Sequence, residues 1–215
     1  MLPSSNPYYK QVQLLMRVLP QVFYENIFAL KGGTAINLFV RDMPRLSIDI
    51  DLMYLPVQDR EESLHEISVA FENMANRIER SIGNAKANRL TQRNDGELSE
   101  LQIDSNGARI KIEASPVIRG TVKNPSLRKT SPKVEAEFGF VEVPVVDIDD
   151  LYAGKICAAL DRQHPRDFFD IRGLLDNEGI TSSIMDVFIA YLISSNQPTS
   201  KLLKPNLIDL KKIYE

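Results

Sequence analysis

ALKGGTAINLF at residues 29–39 and RLSIDIDL at residues 45–52 decide the fold, with only residues 40–44 between them. In the first, Asn26 to Leu30 is apolar and β-prone, Lys31-Gly32-Gly33-Thr34 follows at once, and Ala35 to Val40 reads as a helix. The unit is therefore strand, glycine turn, helix. In the second, Arg45 to Leu55 alternates. Ile48, Ile50 and Leu52 point one way, while Ser47, Asp49 and Asp51 point the other, as in a half-buried strand that Pro56 ends.

The alternation puts Asp49 and Asp51 on one face, where two carboxylates at i and i+2 repel unless a cation lies between them. Hard, oxygen-loving Mg²⁺ suits such a pair, because it takes a few carboxylates and completes its shell with substrate phosphates. The plain alternative is two solvated aspartates, although aspartate is poorly suited to strands. Glycines before a helix let the backbone approach a phosphate, and the N–H groups of the first turn attract anions. Thr34 adds a hydroxyl. The G-x-x-x-x-G-K-[ST] pattern of a P-loop is absent.

Outward from this pair, residues 10–19 read as a short amphipathic helix stopped at Pro20. Residues 59–82 form a long one, with Leu64, Ile67, Phe71, Met74 and Ile78 at helical spacing and Gly83 at its end. A hairpin follows: Leu98 to Asp104, a turn at Ser105-Asn106-Gly107, then Ala108 to Ala114. On its second strand Ile110 and Ile112 face one side, and Arg109, Lys111 and Glu113 the other. Glu113 is a third carboxylate, fit to orient or deprotonate a hydroxyl or to share a metal; equally, it could pair with Lys111 or Arg109. Residues 119–133 hold Arg119, Lys123, Arg128, Lys129 and Lys133 with no acid, and read as an exposed loop. Such a loop could hold RNA phosphates by counterion release, but no aromatics are interleaved for stacking. Val143 to Ile148 leads into a helix capped by Asp147, with Asp150 at its third position, running to about Arg162. His164-Pro165 opens another helix to Leu175, closed near Gly179. A last apolar helix covers Ile184 to Ile193, and a short C-terminal helix follows. On the Asp147-capped helix Lys155 and Arg162 lie two turns apart on one face, where two cations suit a triphosphate; the alternative is a solvated face. Arg166 and Asp170 are spaced as a helical ion pair, and Asp167 in a first turn suits the helix dipole.

Composition bounds the rest. The chain has 215 residues, 43% hydrophobic and 26% charged, with a net charge of −3. That describes a folded globular protein whose nucleic-acid contacts, if any, come from a local patch. One cysteine, Cys157, and two isolated histidines, His65 and His164, offer neither a disulfide framework nor a zinc cluster. No secretory pattern opens the chain and no apolar run approaches the ~20 residues of a membrane span, so the expected location is the cytoplasm.

Strand, G-G-[ST], helix, a D-x-D strand and a third acidic strand resemble the polymerase-β-type nucleotidyltransferase superfamily. More narrowly, ALKGGTAINLF, RLSIDIDL, RIKIEAS and LYAGKICAALDRQHPRDFFDIRGLL, in this order from about Phe28 to Leu175, resemble the AbiEii/AbiGii-type nucleotidyltransferase toxins of bacterial abortive-infection and toxin–antitoxin systems. Glu113 stands where much of the superfamily has aspartate. The resemblance implies an α+β fold: a polymerase-β-like nucleotidyltransferase core with a small mixed sheet (residues 1–145), then a helical C-terminal part (residues 146–215). It implies an enzyme that moves a nucleotide from an NTP to an acceptor, with tRNA expected, releases pyrophosphate and has a cognate antitoxin. Gly32, Gly33 and Thr34 would cradle the phosphates and Asp49, Asp51 and Glu113 would serve Mg²⁺ or Mn²⁺. Lys155 takes the place of the family's phosphate-contacting lysine, with Arg162 beside it, and Asp167 that of its late acidic residue.

Overall fold

The computed structural model describes residues 6–91, 97–115 and 117–209. Part of the N-terminal reading and the end of the expected C-terminal helix fall on residues 1–5 and 210–215, outside the described residues. The chain divides into two compact units: Met1–Gly120 with Pro125–Val145, and Thr121–Asn124 with Val146–Glu215.

The first unit opens with α1, Pro7–Val22, where the Asn6 side chain accepts from the Tyr8 amide at 3.0 Å and Pro7 occupies the first turn. Pro20 does not stop this helix but sits in its last turn. A proline there removes a single backbone hydrogen bond, and fully buried Val18, Leu19 and Val22 anchor the turn around it.

Among the described residues the sheet holds seven strands: β1 Phe28–Lys31, β2 Asp49–Tyr54, β3 Lys86–Thr91, β4 Leu98–Ser105, β5 Ala108–Ala114, β6 Ser126–Lys129 and β7 Glu142–Val145. Their order is β3-β4-β5-β2-β1-β7-β6. The β2–β5 and β1–β7 pairs are parallel and the others antiparallel, so the sheet is mixed. Phe28, Leu30, Ile50, Leu52, Tyr54, Ile103, Ile110 and Ile112 are buried on one face. There α1 packs on β5, and α3, Arg60–Ser81, packs on β3 and β4. Phe28 lies edge-on to both Tyr54 and Phe71, at 6.1 and 5.9 Å.

Several sequence expectations are corrected. Residues 45–48 precede β2 instead of belonging to it. The expected loop at 119–133 contains β6 and the start of α4, Pro132–Phe138. The approach to the helix at 143–148 is β7. β3 carries no apolar alternation because it is an edge strand with only Ala87 buried. The hairpin turn is as expected: Asn106 and Gly107 both have positive φ, 49° and 78°, matching the twist of the flanking strands.

Between β1 and β2 the chain forms α2, Gly32–Ala35, which widens into a π-turn over Ile36–Val40. The Arg41 amide reaches the Ile36 carbonyl at 2.7 Å to close it.

The second unit is helical: α5 Ile148–Arg162, α6 Pro165–Leu175, α7 Ser182–Ile193 and α8 Thr199–Leu203. Asp147 caps α5 through the Asp149 amide at 2.9 Å, and His164 caps α6 through the Arg166 amide at 3.1 Å. Asp150 does not fold back onto its own helix end. It is 1% exposed and accepts from the Val122 and Lys123 amides at 2.8 and 2.9 Å and from the Tyr191 hydroxyl at 3.1 Å. Burial and the Asp150 charge push the Tyr191 hydroxyl well above its ordinary pKa. Asp150 thus fastens residues 121–124 to the helices. Asp150→Ala strips the acceptor from three donors and is expected to cost about 1–3 kcal/mol, read as a lower midpoint in denaturant with unchanged slope.

Candidate functional site

The polar face of the sheet gathers the predicted carboxylates. In the parallel β2–β5 pair Asp49 stands opposite Lys111 and Asp51 opposite Glu113. Across β1, Lys31 stands opposite Asp51, and across β4, Glu100 stands opposite Glu113. Paired residues share a face, so Lys31, Asp51, Glu113 and Glu100 form one row, with Asp49 and Lys111 in the next but one position along the strands. Lys111 makes ion pairs with Glu113 and, at 3.3 Å, with Glu100. Burial works to lower the Lys111 ammonium, but Glu113 and Glu100 outweigh it and hold its pKa above the ordinary value.

The glycine turn lies against this row. Gly32 has φ +73°, a left-handed conformation that favours glycine, and a Cβ there would overlap the Asp51 carboxylate. A Cβ on Gly33 would come within 2.8 Å of both Arg45 Nη2 and Ser47 Oγ. Thr34 is fully buried; its hydroxyl donates to the Asp49 carbonyl at 2.5 Å and stands 3.1 Å from Ser47 Oγ. Thr34 therefore fastens the turn to β2. Arg45 and Ser47 were not singled out in the sequence. Their spacing was the available signal, since residues 45, 47, 49 and 51 fall on one side of an extended chain.

Asp49, Asp51 and Glu113 offer hard oxygen donors suited to a divalent cation. Among the described residues no three metal-ligating side chains stand close enough together to form a ready-made cage. The Lys111 ammonium explains part of this, because it occupies Glu113. The donor chemistry of Asp49 and Asp51 fits a hard divalent cation such as Mg²⁺ or Mn²⁺, while Glu113 is paired with Lys111.

In the second unit, Lys155 and Arg162 of α5 meet Asp167 and Asp170 of α6. Lys155 is 6% exposed, with Nζ 3.1 Å from both Asp167 and Asp170. Arg162 grips Asp167 at 2.6 and 2.9 Å, while its side chain is 62% exposed. Burial alone would raise Asp167, but Arg162 and Lys155 hold its pKa below the ordinary value of 3.8. The expected Lys155–Arg162 face is thus an ion-paired junction between two helices, and Asp170 faces Lys155.

Of the basic residues of 119–133, Arg119, Arg128, Lys129 and Lys133 belong to the first unit and Lys123 to the second. Lys123 pairs with Asp149 and bonds Ser183 at 2.5 Å. Lys129 lies 5.9 Å from the Phe140 ring. A groove of about 530 Å³ in the first unit is lined by Lys10, Leu14, Arg17, Phe138 and Phe140, among others, and contains neither the glycine turn nor the carboxylates. Cys157 has its thiol pushed up to about 11 by burial, consistent with packing.

A family model described as the nucleotidyl transferase AbiEii toxin of type IV toxin–antitoxin systems matches residues 13–213. The chain belongs to the AbiEii family. Among solved structures, this AbiEii chain is similar to MenT4, a nucleotidyltransferase toxin from Mycobacterium tuberculosis. The two share 18% identity with a TM-score of 0.62, over 86% of this chain and 63% of that one. That likeness supports the α+β nucleotidyltransferase fold, and the chain spans somewhat less than two thirds of MenT4's length. No curated protein matches the chain in sequence. None of the described helices is long and apolar enough to cross a membrane.

The α5–α6 junction has a pH signature. Asp167 has a depressed folded pKa, so its contribution is present above the unfolded value of 3.8 and is lost as pH falls through the folded value. Arg162→Gln removes part of that depression. It is expected to shift the onset of acid unfolding of the second unit's helices to higher pH, measured by circular dichroism through an acid titration.

Proposed function

We propose that this AbiEii chain is a Mg²⁺-dependent nucleotidyltransferase toxin that acts in the cytoplasm, takes an NTP as substrate and modifies tRNA, and that a cognate antitoxin restrains it. The observation that carries the reading is the contact between the Asp51 carboxylate and Gly32, with Asp49 and Glu113 on the same sheet face. A carboxylate pair beside a glycine turn places a cation-binding surface where the backbone admits phosphate. Family membership supports the same activity.

In this reading Asp49 and Asp51 would hold the nucleotide's divalent cation, which would supply charge neutralisation to the phosphates. Gly32 and Gly33 let the phosphates approach the backbone. Thr34 keeps the turn in register with β2 through the Asp49 carbonyl. Glu113 accepts the acceptor hydroxyl's proton or completes the metal site, once Lys111 moves away from it. The acceptor oxygen then displaces pyrophosphate in line, with positioning and fixed charge supplying most of the acceleration. Lys155 holds Asp167 and Asp170 in place, and Asp167 orients Arg162, the exposed member of that group. Arg119, Arg128, Lys129 and Lys133 add positive charge for an RNA acceptor, with Lys123 fixed to the helical unit.

Purified protein incubated with bacterial tRNA, Mg²⁺ and each α-labelled NTP in turn should label the RNA with one nucleotide preferred. Asp49→Asn and Asp51→Asn should each lose at least about 100-fold, the scale of removing one electrostatic stabiliser. Label on a small hydroxylated compound or on the protein itself, with none on RNA, would replace tRNA as the acceptor. Full activity in both variants would sink the assignment of the metal site.

A further inference from the structure

We propose that the groove between α1 and the Phe138–Phe140 segment is an exosite for an unpaired stretch of RNA, apart from the carboxylate site. This rests on the RNA-acceptor reading above and adds a second contact, one that selects for single-stranded character.

The groove lies within the first unit and encloses about 530 Å³, a size that suits a bound ligand. Its distance from the carboxylates follows from β5. Ala108 lines the groove, and Glu113 stands five residues further along that strand, roughly 16 Å away at the usual rise. The walls are fixed. The Gln11 side-chain amide donates to the Arg109 carbonyl at 2.7 Å, which holds α1 on β5. Phe138 of α4 leans on Tyr9 of α1, with ring centroids 5.0 Å apart.

One wall supplies charge and the other supplies rings. Lys10, Gln13 and Arg17 fall at i, i+3 and i+7, on one face of α1, and all three are exposed. No acidic residue is among those that line the groove. Among the described residues neither Lys10 nor Arg17 has an ion-pair partner. Opposite them Phe140 is 55% exposed, and Lys129 stands 5.9 Å from its centroid. The basic stretch at 119–133 has no aromatic residue of its own; the fold brings one to it.

Cations without counter-charge beside open rings are what single-stranded nucleic acid uses. Phosphates meet the cations, and bases of any identity stack on the rings. Lys10 and Arg17 are about 10.5 Å apart along the helix axis. That is about three stacked nucleotide steps, so a short strand can meet both. Gln13 and Asn106 offer side-chain amides to base edges or to the 2′-hydroxyl. Duplex RNA keeps its bases stacked on one another and cannot use Phe140. An acidic peptide would match the cations but carries no regular series of planar rings.

The test is equilibrium binding, across a salt series, of a labelled single-stranded RNA of mixed sequence, the same RNA in a perfect duplex, and labelled poly-L-glutamate. The proteins are wild type, Phe140→Ala, and a double variant with Lys10→Gln and Arg17→Gln. Wild type should prefer the single strand. Phe140→Ala should weaken single-strand binding about fivefold or more, the loss of one stacked base, while duplex binding and the salt slope stay as they were. The double variant should reduce the slope of log K against log salt by about 1.4, two phosphate contacts at about 0.7 each. All three side chains are exposed, so both variants should fold, and circular dichroism checks that they do. Single-strand binding unchanged in either folded variant, while wild type transfers nucleotide to tRNA, overturns the exosite and leaves the wider reading standing. Poly-L-glutamate bound more tightly than RNA, and lost in the same variants, overturns RNA as the occupant and assigns the groove to an acidic protein segment. A wild type that neither binds nor labels RNA overturns both readings.

Discussion

The parallel pairing of β2 with β5 is the constraint on which the candidate site depends. It sets Asp51 opposite Glu113 and Asp49 opposite Lys111. Side chains alternate between faces, so a slip of one residue would bury the carboxylates and expose Ile50 and Leu52. The register is fixed by the other face, where Ile50 sits opposite Ile112 and Leu52 opposite Ala114, all nearly inaccessible. Each fully buried branched side chain contributes about 1.5–3 kcal/mol relative to exposure. β1 holds β2 from its other edge, with Leu30 opposite Leu52 and Lys31 opposite Asp51. That second pairing delivers Gly32, the next residue along the chain, to the Asp51 carboxylate. Core packing on one face thus sets the chemistry on the other.

Much of this was legible because it follows from period and punctuation. The alternation of Ile48 to Leu52 gave the face on which Asp49 and Asp51 lie, the Asn106-Gly107 turn gave the hairpin, and helical spacing from Leu64 to Ile78 gave α3. What was not legible lacked such a signal. β3 and β6 lie at the sheet's two edges and expose most of their side chains, so neither shows an apolar stripe. β7 carries Pro144, which reads against a strand. The partners of Lys155 and Arg162 lie on the following helix, and spacing within α5 says nothing about them. The approach of Arg45 to Gly33 is a contact between two loop-proximal residues that only folding brings together.

The ion pairs of the two units differ in what a substrate can do with them. Lys111 and Glu113 are 39% and 43% exposed in their side chains, so water screens the pair and its net worth is about 0–1 kcal/mol. In the proposed reading, a divalent cation at Asp49 and Asp51 would repel the Lys111 ammonium and attract the Glu113 carboxylate. Both effects would favour exchange, at small cost. Lys155 with Asp167 and Asp170 is the opposite case: 6% exposed against 2% and 1%. Removing one partner of such a buried group costs about 3–5 kcal/mol, because a charge is left without water or counter-charge. A triphosphate drawing Lys155 out would have to supply that energy first. Exposure therefore sorts the candidate cations: the Lys111 pair is screened by water and cheap to part, and Lys155 is buried with both of its carboxylates.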